Sequence, residues 1–291
     1  MKKINLIIFT IFTLSLTFLT SCCDKIDEPY MNTGDGGLVG DTVRKVLLED
    51  FTGHLCVNCP AAHVIIEGLE KVYPKRIVPV VIHAGFFAKP KAAPYDYDFR
   101  TPDGTAIATE FGAITAPLPK GMVNRINKGG YLMDPAAYAT AVSLVLDSLP
   151  ELPDVYIEID PSYNSSDSTI SVDVKMSVLA NLPAGKYNVS VMVLESKIIA
   201  AQKNTTPEIN NGQEILDYEH NDVLRGTINT TWGEQFADEA LVAGKVYNKS
   251  YSNYKIGSDW NPDNLKIVAF VYYADGPKEK VVIQAEEAHL K

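Results

Sequence analysis

The chain reads as an α/β unit followed by an antiparallel β-sandwich, and three features lead there. Between residues 43 and 150, short apolar runs of strand length alternate with stretches whose apolar residues recur at helical spacing. From residue 151 onward helical spacing gives way to period-two alternation, broken by turn-forming Pro, Gly and Asp. With 291 residues, the chain is also long enough to bury two cores.

Taken in order, Lys2 and Lys3 precede an uncharged apolar run over residues 4–19. The run is short for a membrane span, and its basic start fits a signal peptide over residues 1–21. It closes on Leu19-Thr20-Ser21-Cys22, which resembles a bacterial lipobox; the resemblance implies cleavage before Cys22 and lipid on its thiol. Asp24, Asp27 and Glu28 follow, similar to the acidic export tag of surface-exposed lipoproteins in Bacteroidetes-type outer membranes. We therefore expect a lipid anchor in the outer membrane, facing outward in preference to the periplasm. Residues 22–42, rich in glycine, read as the lipidated flexible tether. Removing Lys2 and Lys3 takes the formal net charge from −10 to about −12, which argues against a nucleic-acid partner.

The first folded unit, residues 43–150, opens with Lys45-Val46-Leu47-Leu48-Glu49-Asp50-Phe51, a strand, and a turn at Thr52-Gly53. Cys56-Val57-Asn58-Cys59 comes next, and Pro60 then starts a helix with Ala62, Ile65, Ile66 and Leu69 at helical spacing. Arg76-Ile77-Val78-Pro79-Val80-Val81-Ile82-His83 is a second buried strand, and residues 85–99 an insertion or loop beside the cysteines. Residues 103–111 form a short helix, 121–126 a strand and 135–149 a closing helix. In residues 151–291, alternation marks strands at 155–159, 170–178, 187–194, 265–273 and 281–285, the basis for the sandwich. Residues 205–254 are less regular and carry long connections.

Two cysteines where a strand hands over to a helix form the layout of a dithiol site, because free N–H groups and the positive end of the helix dipole stabilise a thiolate there. In an oxidising envelope the pair rests as a disulfide. Either a working redox centre or a structural staple between helix and strand accounts for it. A zinc alternative uses His54, Cys56, Cys59 and His63, two imidazoles and two thiolates within ten residues. It is disfavoured because one segment supplies all four, whereas structural zinc sites draw on two knuckles. Pro60 stands where haem attachment would need a histidine. His83, at a strand end, either faces the dithiol or bonds to backbone, the second being favoured. His220 and Arg225 belong either to a docking site or, as we favour, to an ion-paired loop. No nucleotide loop, serine-hydrolase elbow or His-Glu-x-x-His is present, and no cofactor is implied.

Leu47-Leu48-Glu49-Asp50-Phe51-Thr52-Gly53, the cysteines with Pro60-Ala61-Ala62, Met122-Val123-Asn124-Arg125, and Asp217-Tyr218-Glu219-His220-Asn221-Asp222-Val223-Leu224-Arg225-Gly226 together resemble the outer membrane protein 28 family of lipoproteins. The resemblance implies a thioredoxin-like domain over residues 43–150 joined to a β-rich domain, with no settled activity. Carried over from thioredoxins, it implies that Cys56 attacks a substrate disulfide, that Cys59 resolves the mixed disulfide, and that Asp50 is the buried acid that moves its proton. Pro119, in preference to Pro117, would be the cis-proline packed beside the pair. Leu55 replaces the tryptophan that thioredoxins place before the first cysteine, and Val57-Asn58 replaces Gly-Pro, both departures from the pattern. Two functions follow: a non-enzymatic scaffold for a protein, peptide or glycan partner, which is favoured, and an envelope thiol-disulfide oxidoreductase acting through Cys56 and Cys59.

Overall fold

The computed structural model describes residues 42–291. The signal peptide, Cys22, the acidic tag and the tether up to residue 41 lie outside the described residues.

β1 (Val46–Thr52) is buried along its whole length and pairs in parallel with β2 (Ile77–His83). Near-continuous apolar runs suit strands covered on both faces. The crossover between them is α1 (Cys59–Val72), which has Pro60 in its first turn and buries Cys59, Ala62, Ile66 and Leu69. α2 (Pro102–Glu110) is capped by Thr101, whose hydroxyl accepts the Gly104 N–H at 2.9 Å. β3 (Lys120–Val123) lies antiparallel to β1, and α3 (Tyr138–Ser148) turns Tyr138, Val142, Val145 and Leu146 inward.

Because side chains alternate along β1, Val46 and Leu48 pack with Ile66, Leu69, Tyr138 and Val142 on one face, while Leu47 and Phe51 pack with Ile107 and Ala108 on the other. The neighbouring acids Glu49 and Asp50 are thereby sent to opposite faces. Glu49 meets Arg125, whose Nε and Nη2 donate to its carboxylate at 2.8 and 2.6 Å; both side chains are 1% exposed. The guanidinium lies over Phe270 at 4.8 Å and Phe111 at 5.2 Å. Its backbone is left-handed, as is that of Asn124 (φ 51° and 48°), and the Asn124 Oδ1 accepts the Leu47 N–H at 2.8 Å.

The remaining strands are β4 (Val155–Asn164), β5 (Thr169–Val178), β6 (Lys186–Glu195), β7 (Ile198–Gln202), β8 (Ile215–His220), β9 (Val223–Thr227), β10 (Glu234–Asp238), β11 (Val246–Lys255), β12 (Leu265–Tyr273) and β13 (Val282–His289). The result is a mixed α/β region followed by a strand-rich one. The main sheet runs β13-β12-β6-β9-β2-β1-β3, with β10 also on β6. β11, β5 and β4 form a three-stranded sheet whose Ile157, Val172, Val174 and Met176 pack with Val191, Val193, Ile267 and Ala269 of the main sheet. Among the described residues β7 and β8 pair with each other alone, as a two-stranded arm.

Strands from both sides of residue 150 thus share one sheet, joined where Val81 of β2 pairs with Val223 of β9. The apolar cluster of Leu47, Phe51, Val80 and Ile82 continues into Met192, Leu194, Val268 and Phe270. Residues 43–150 and 151–291, distinct in pattern, lie together in a compact unit spanning Thr42–Lys291. Alternation identifies a strand and its buried face but not the neighbour it pairs with, so this joining is invisible in the pattern.

Candidate functional site at the Cys56–Cys59 disulfide

β1 ends at Thr52, a turn follows, and Cys59 is the first residue of α1, so Cys56 and Cys59 sit at the strand-to-helix junction with Cα atoms 5.4 Å apart and sulfurs bonded. Cys56 is 2% exposed and Cys59 0%. The cover comes from two directions. On one side, the 85–99 segment closes on the site loop: the Phe87 carbonyl accepts the Leu55 N–H at 2.9 Å, and Gly53 packs so closely on the Phe87–Ala88 backbone that a Cβ would sit 2.3 Å from it. On the other side, the chain leaving β7 runs along the same loop. The Lys203 N–H donates to the His54 carbonyl at 2.8 Å, the Thr205 N–H to the Val57 carbonyl at 3.2 Å, and the buried Gln202 amide to the Cys56 carbonyl at 2.9 Å.

Asp50 is fully buried. The Tyr138 hydroxyl donates to its Oδ1 at 2.9 Å, and His63 Nε2 stands 3.4 Å from Oδ2 and 3.3 Å from the Thr52 hydroxyl. His63 Nδ1 is 2.7 Å from the Tyr218 hydroxyl, which donates to it when Nε2–H faces the carboxylate. Burial first, and the Asp50 charge second, push the Tyr138 phenol far above its ordinary range, so it stays a donor. His63 and Tyr218 also line a cleft of about 240 Å³ with Glu67, Glu70 and Asp222. Asp50, His63 and Tyr218 therefore line up from a buried carboxylate to that cleft: His63 is hydrogen-bonded to Tyr218 and stands 3.4 Å from the Asp50 Oδ2, too loosely placed for a hydrogen bond to it.

Leu118–Pro119 is a cis peptide, and so is Ala93–Pro94. Since Phe51 pairs with Lys120, Pro119 lies at the sheet edge where β1 runs into the cysteine loop. Of the four residues weighed for zinc, the two sulfurs bond each other and the two imidazoles turn to different partners. His54 Nε2 meets the Lys89 carbonyl at 3.3 Å among Tyr95 and Phe99, while His63 serves Asp50 and Tyr218. Among the described residues no group of three or more His, Cys, Asp or Glu has the geometry to hold a metal.

The backbone hydrogen bond favoured for His83 is not made. Buried at the end of β2, His83 stacks on Phe99 with centroids 4.4 Å apart and meets His220 of β8 edge-on at 5.4 Å; among the described residues no ring nitrogen of either histidine has a hydrogen-bond partner of good geometry. Phe99, from the insertion, displaces the polar surroundings that a strand end would ordinarily offer. Burial holds the His83 pKa well below the usual histidine range and takes His220 down to about 3, with neighbouring imidazoles adding to both. His220 is therefore not part of an ion pair. Arg225 is, reaching Glu195 at 2.9 Å and Asp259 at 3.0 Å with Trp260 4.9 Å beneath it.

Sequence reasoning missed Tyr138, Tyr218 as a partner of His63, and Gln202. Tyr138 carried a signal: it heads the apolar face of its helix at i, i+4, i+7 and i+8, where a phenol needs a polar partner for its hydroxyl.

Fold and site define a mixed α/β and β protein with a closed, covered CxxC disulfide beside a buried carboxylate. Residues 106–291 match the family model for outer membrane protein Omp28, and the chain belongs to that family. Among solved structures, HBP35 of Porphyromonas gingivalis matches with a TM-score of 0.59 and 18% identity, over 85% of this chain and 76% of that one. Protein AGR_C_4864 of Agrobacterium tumefaciens matches at 0.52 and 9%, over 86% and 96%. A domain of the outer membrane lipoprotein Omp28 from Porphyromonas gingivalis is 24% identical over 49% of this chain and 92% of that one, with a TM-score of 0.30. No curated protein matches the chain. Among the described residues no helix is long and apolar enough to cross a membrane.

Proposed function

We propose that this outer-membrane family member is a lipoprotein anchored through Cys22 and displayed on the cell surface, in which a thioredoxin-like region serves as a structural and binding scaffold. The observation that carries the scaffold reading is the burial of the disulfide, 2% and 0% exposed under the chain's own residues 202–205. A disulfide that exchanges with substrates must present its first sulfur to an incoming thiolate; here that approach is filled. Cys56–Cys59 then pins α1 to the loop after β1, and the recognition surface for a protein, peptide or glycan lies elsewhere on the molecule.

A second reading, envelope thiol-disulfide exchange, is favoured by one specific arrangement: buried Asp50 lined up with His63 and Tyr218 toward a solvent cleft. Under it, Cys56 is the nucleophile, Cys59 the resolving thiol and Asp50 the proton acceptor, with the Pro119 edge as the docking groove.

Measuring the reduction potential and trapping partners with Cys59→Ser separates the two. The scaffold reading expects a potential below about −300 mV and no captured protein. A potential in the range of known exchangers, roughly −120 to −270 mV, together with mixed disulfides on Cys56, would overturn it.

A further inference from the structure

The arm formed by β7 and β8 is an excursion between two central strands, β6 and β9, and it holds the cover over the disulfide. It leaves and rejoins the sheet at Lys197 and Asp222, both left-handed (φ 59° and 57°), where the Lys197 N–H donates to the Asn221 side chain at 2.9 Å and the Asp222 N–H to the Ser196 hydroxyl at 3.0 Å. Between arm and core lie four of the chain's five histidines, each from a different element: His54 from the site loop, His63 from α1, His83 from β2 and His220 from β8. Tyr218 on the arm docks on His63, and His220 on the arm docks on His83 and Phe99, at a ring distance of 4.5 Å for the latter.

This seam is unusual in being aromatic, buried and ionisable at once. His83 and His220 are 2% exposed, and among the described residues no ring nitrogen of either has a hydrogen-bond partner of good geometry, so the closed seam favours neutral rings. We propose that the β7–β8 arm is an acid-released latch over the Cys56–Cys59 disulfide, with His220 on the arm and His83 beneath it as the titrating pair. The groups acting on this pair strengthen the effect: His63 and His54 act on both rings and Arg225 on His83, all opposing a further positive charge, with the Ala200 backbone opposing the shift at His220. Beyond them, Asp50 and Tyr218 hold His63, Asp98 and Arg100 flank His54, and Glu195 and Asp259 neutralise Arg225. The latch concerns only when the disulfide is reachable, so it stands under either functional reading.

The sign follows from linkage. Both folded-state values lie below the ordinary value of about 6.5, so the closed state is fully favoured above that pH and is lost as pH falls through the window toward 3. Each imidazole that charges on release multiplies the open-to-closed ratio roughly tenfold per pH unit below about 6.5.

The test reduces the intact protein with tris(2-carboxyethyl)phosphine, which takes oxygen from water to become the phosphine oxide while the disulfide becomes two thiols. Rates are divided by those of an exposed disulfide peptide at the same pH, which removes the reagent's own pH dependence. From pH 6.5 to 4.5 the ratio should rise by roughly 50-fold if His220 alone charges on release, and by more if His83 follows. His220→Phe and His83→Phe, which keep a ring in the seam, should each flatten the rise. A flat ratio, or an unchanged rise in both variants, would overturn the latch. Amide hydrogen exchange on the wild-type chain guards against misfolded variants. At pH 4.5 residues 198–220 should lose protection while β6 and β12 keep theirs; loss across the whole sheet at once, or full retention in the arm, would also overturn it.

Discussion

Arg125→Met removes a charge from a place where its partner cannot reach water. Glu49 and Arg125 are each 1% exposed in their side chains and share two hydrogen bonds, at 2.8 and 2.6 Å. Breaking one side of such a pair strands a buried carboxylate, which costs about 3–5 kcal/mol. Methionine keeps most of the stem packed against Phe270 and Phe111, so cavity formation adds little. Against a total stability of about 5–15 kcal/mol this is a large fraction, and at roughly 2–4 °C per kcal/mol for a chain of this size it lowers Tm by about 6–20 °C. The assay is urea unfolding followed by tryptophan fluorescence, with calorimetry for Tm. The double variant Glu49→Leu/Arg125→Met should recover most of the loss, since replacing a buried pair by apolar groups is often neutral or better. If the single variant lost less than about 1 kcal/mol, or the double variant fell no nearer wild type than the single, the reasoning about an isolated buried charge would be wrong.

Gln202→Ala deletes the buried amide that donates to the Cys56 carbonyl at 2.9 Å and the Lys203 carbonyl at 2.8 Å; a loss of about 1–3 kcal/mol should speed reduction of the disulfide by roughly 5- to 150-fold at pH 7, and an unchanged rate would show that this residue does not hold the cover down. Gly53→Ala drives a methyl into the Phe87–Ala88 backbone at 2.3–2.6 Å, where no flexible side chain can yield, so Tm should fall by the equivalent of about 1–3 kcal/mol; a wild-type Tm would count against the close packing of loop and insertion. Glu70 is held up to about 7, chiefly by burial and then by Asp222. Because its folded value exceeds the unfolded one, its protonated form favours the fold below about 4.5 and that contribution is lost as pH rises through 7. Glu70→Gln should therefore raise Tm at pH 8 and leave it unchanged near pH 4, and a gain of equal size at both pH values would exclude titration as its cause.

Local features of the site were legible in the sequence because they are made by neighbours in the chain. The strand into Thr52, the junction at Cys56 and the helix from Cys59 follow from an apolar run, a turn and Pro60 in a first helical turn. Asp50 is singled out only by the resemblance to thioredoxins, while its burial follows from lying on a strand covered on both faces. What was not legible comes from distant parts of the chain. Tyr138 and Tyr218 reach the carboxylate and its histidine from 88 and 155 residues away, and Gln202 reaches Cys56 across 146. No periodicity encodes such meetings. His83 shows the limit in the other direction: a strand-end histidine ordinarily finds a backbone partner, but Phe99 and His220 enclose it in an aromatic seam that only the tertiary fold creates. The same holds for Glu49, adjacent to Asp50 in sequence and placed on the opposite face by strand alternation, with Arg125 brought under it by β3.

The claim that most needs testing is that the chain's own residues shield the Cys56–Cys59 disulfide. The direct measurement is the rate of its reduction by dithiothreitol at pH 8, compared between the native protein and the same protein unfolded in urea, with thiols counted by mass after alkylation. Shielding under Gln202 and the Phe87 segment predicts native reduction slower by a factor of 100 or more, on the order of 3 kcal/mol of protection. Equal rates in the two states would contradict it, and with it the scaffold reading built on a covered disulfide.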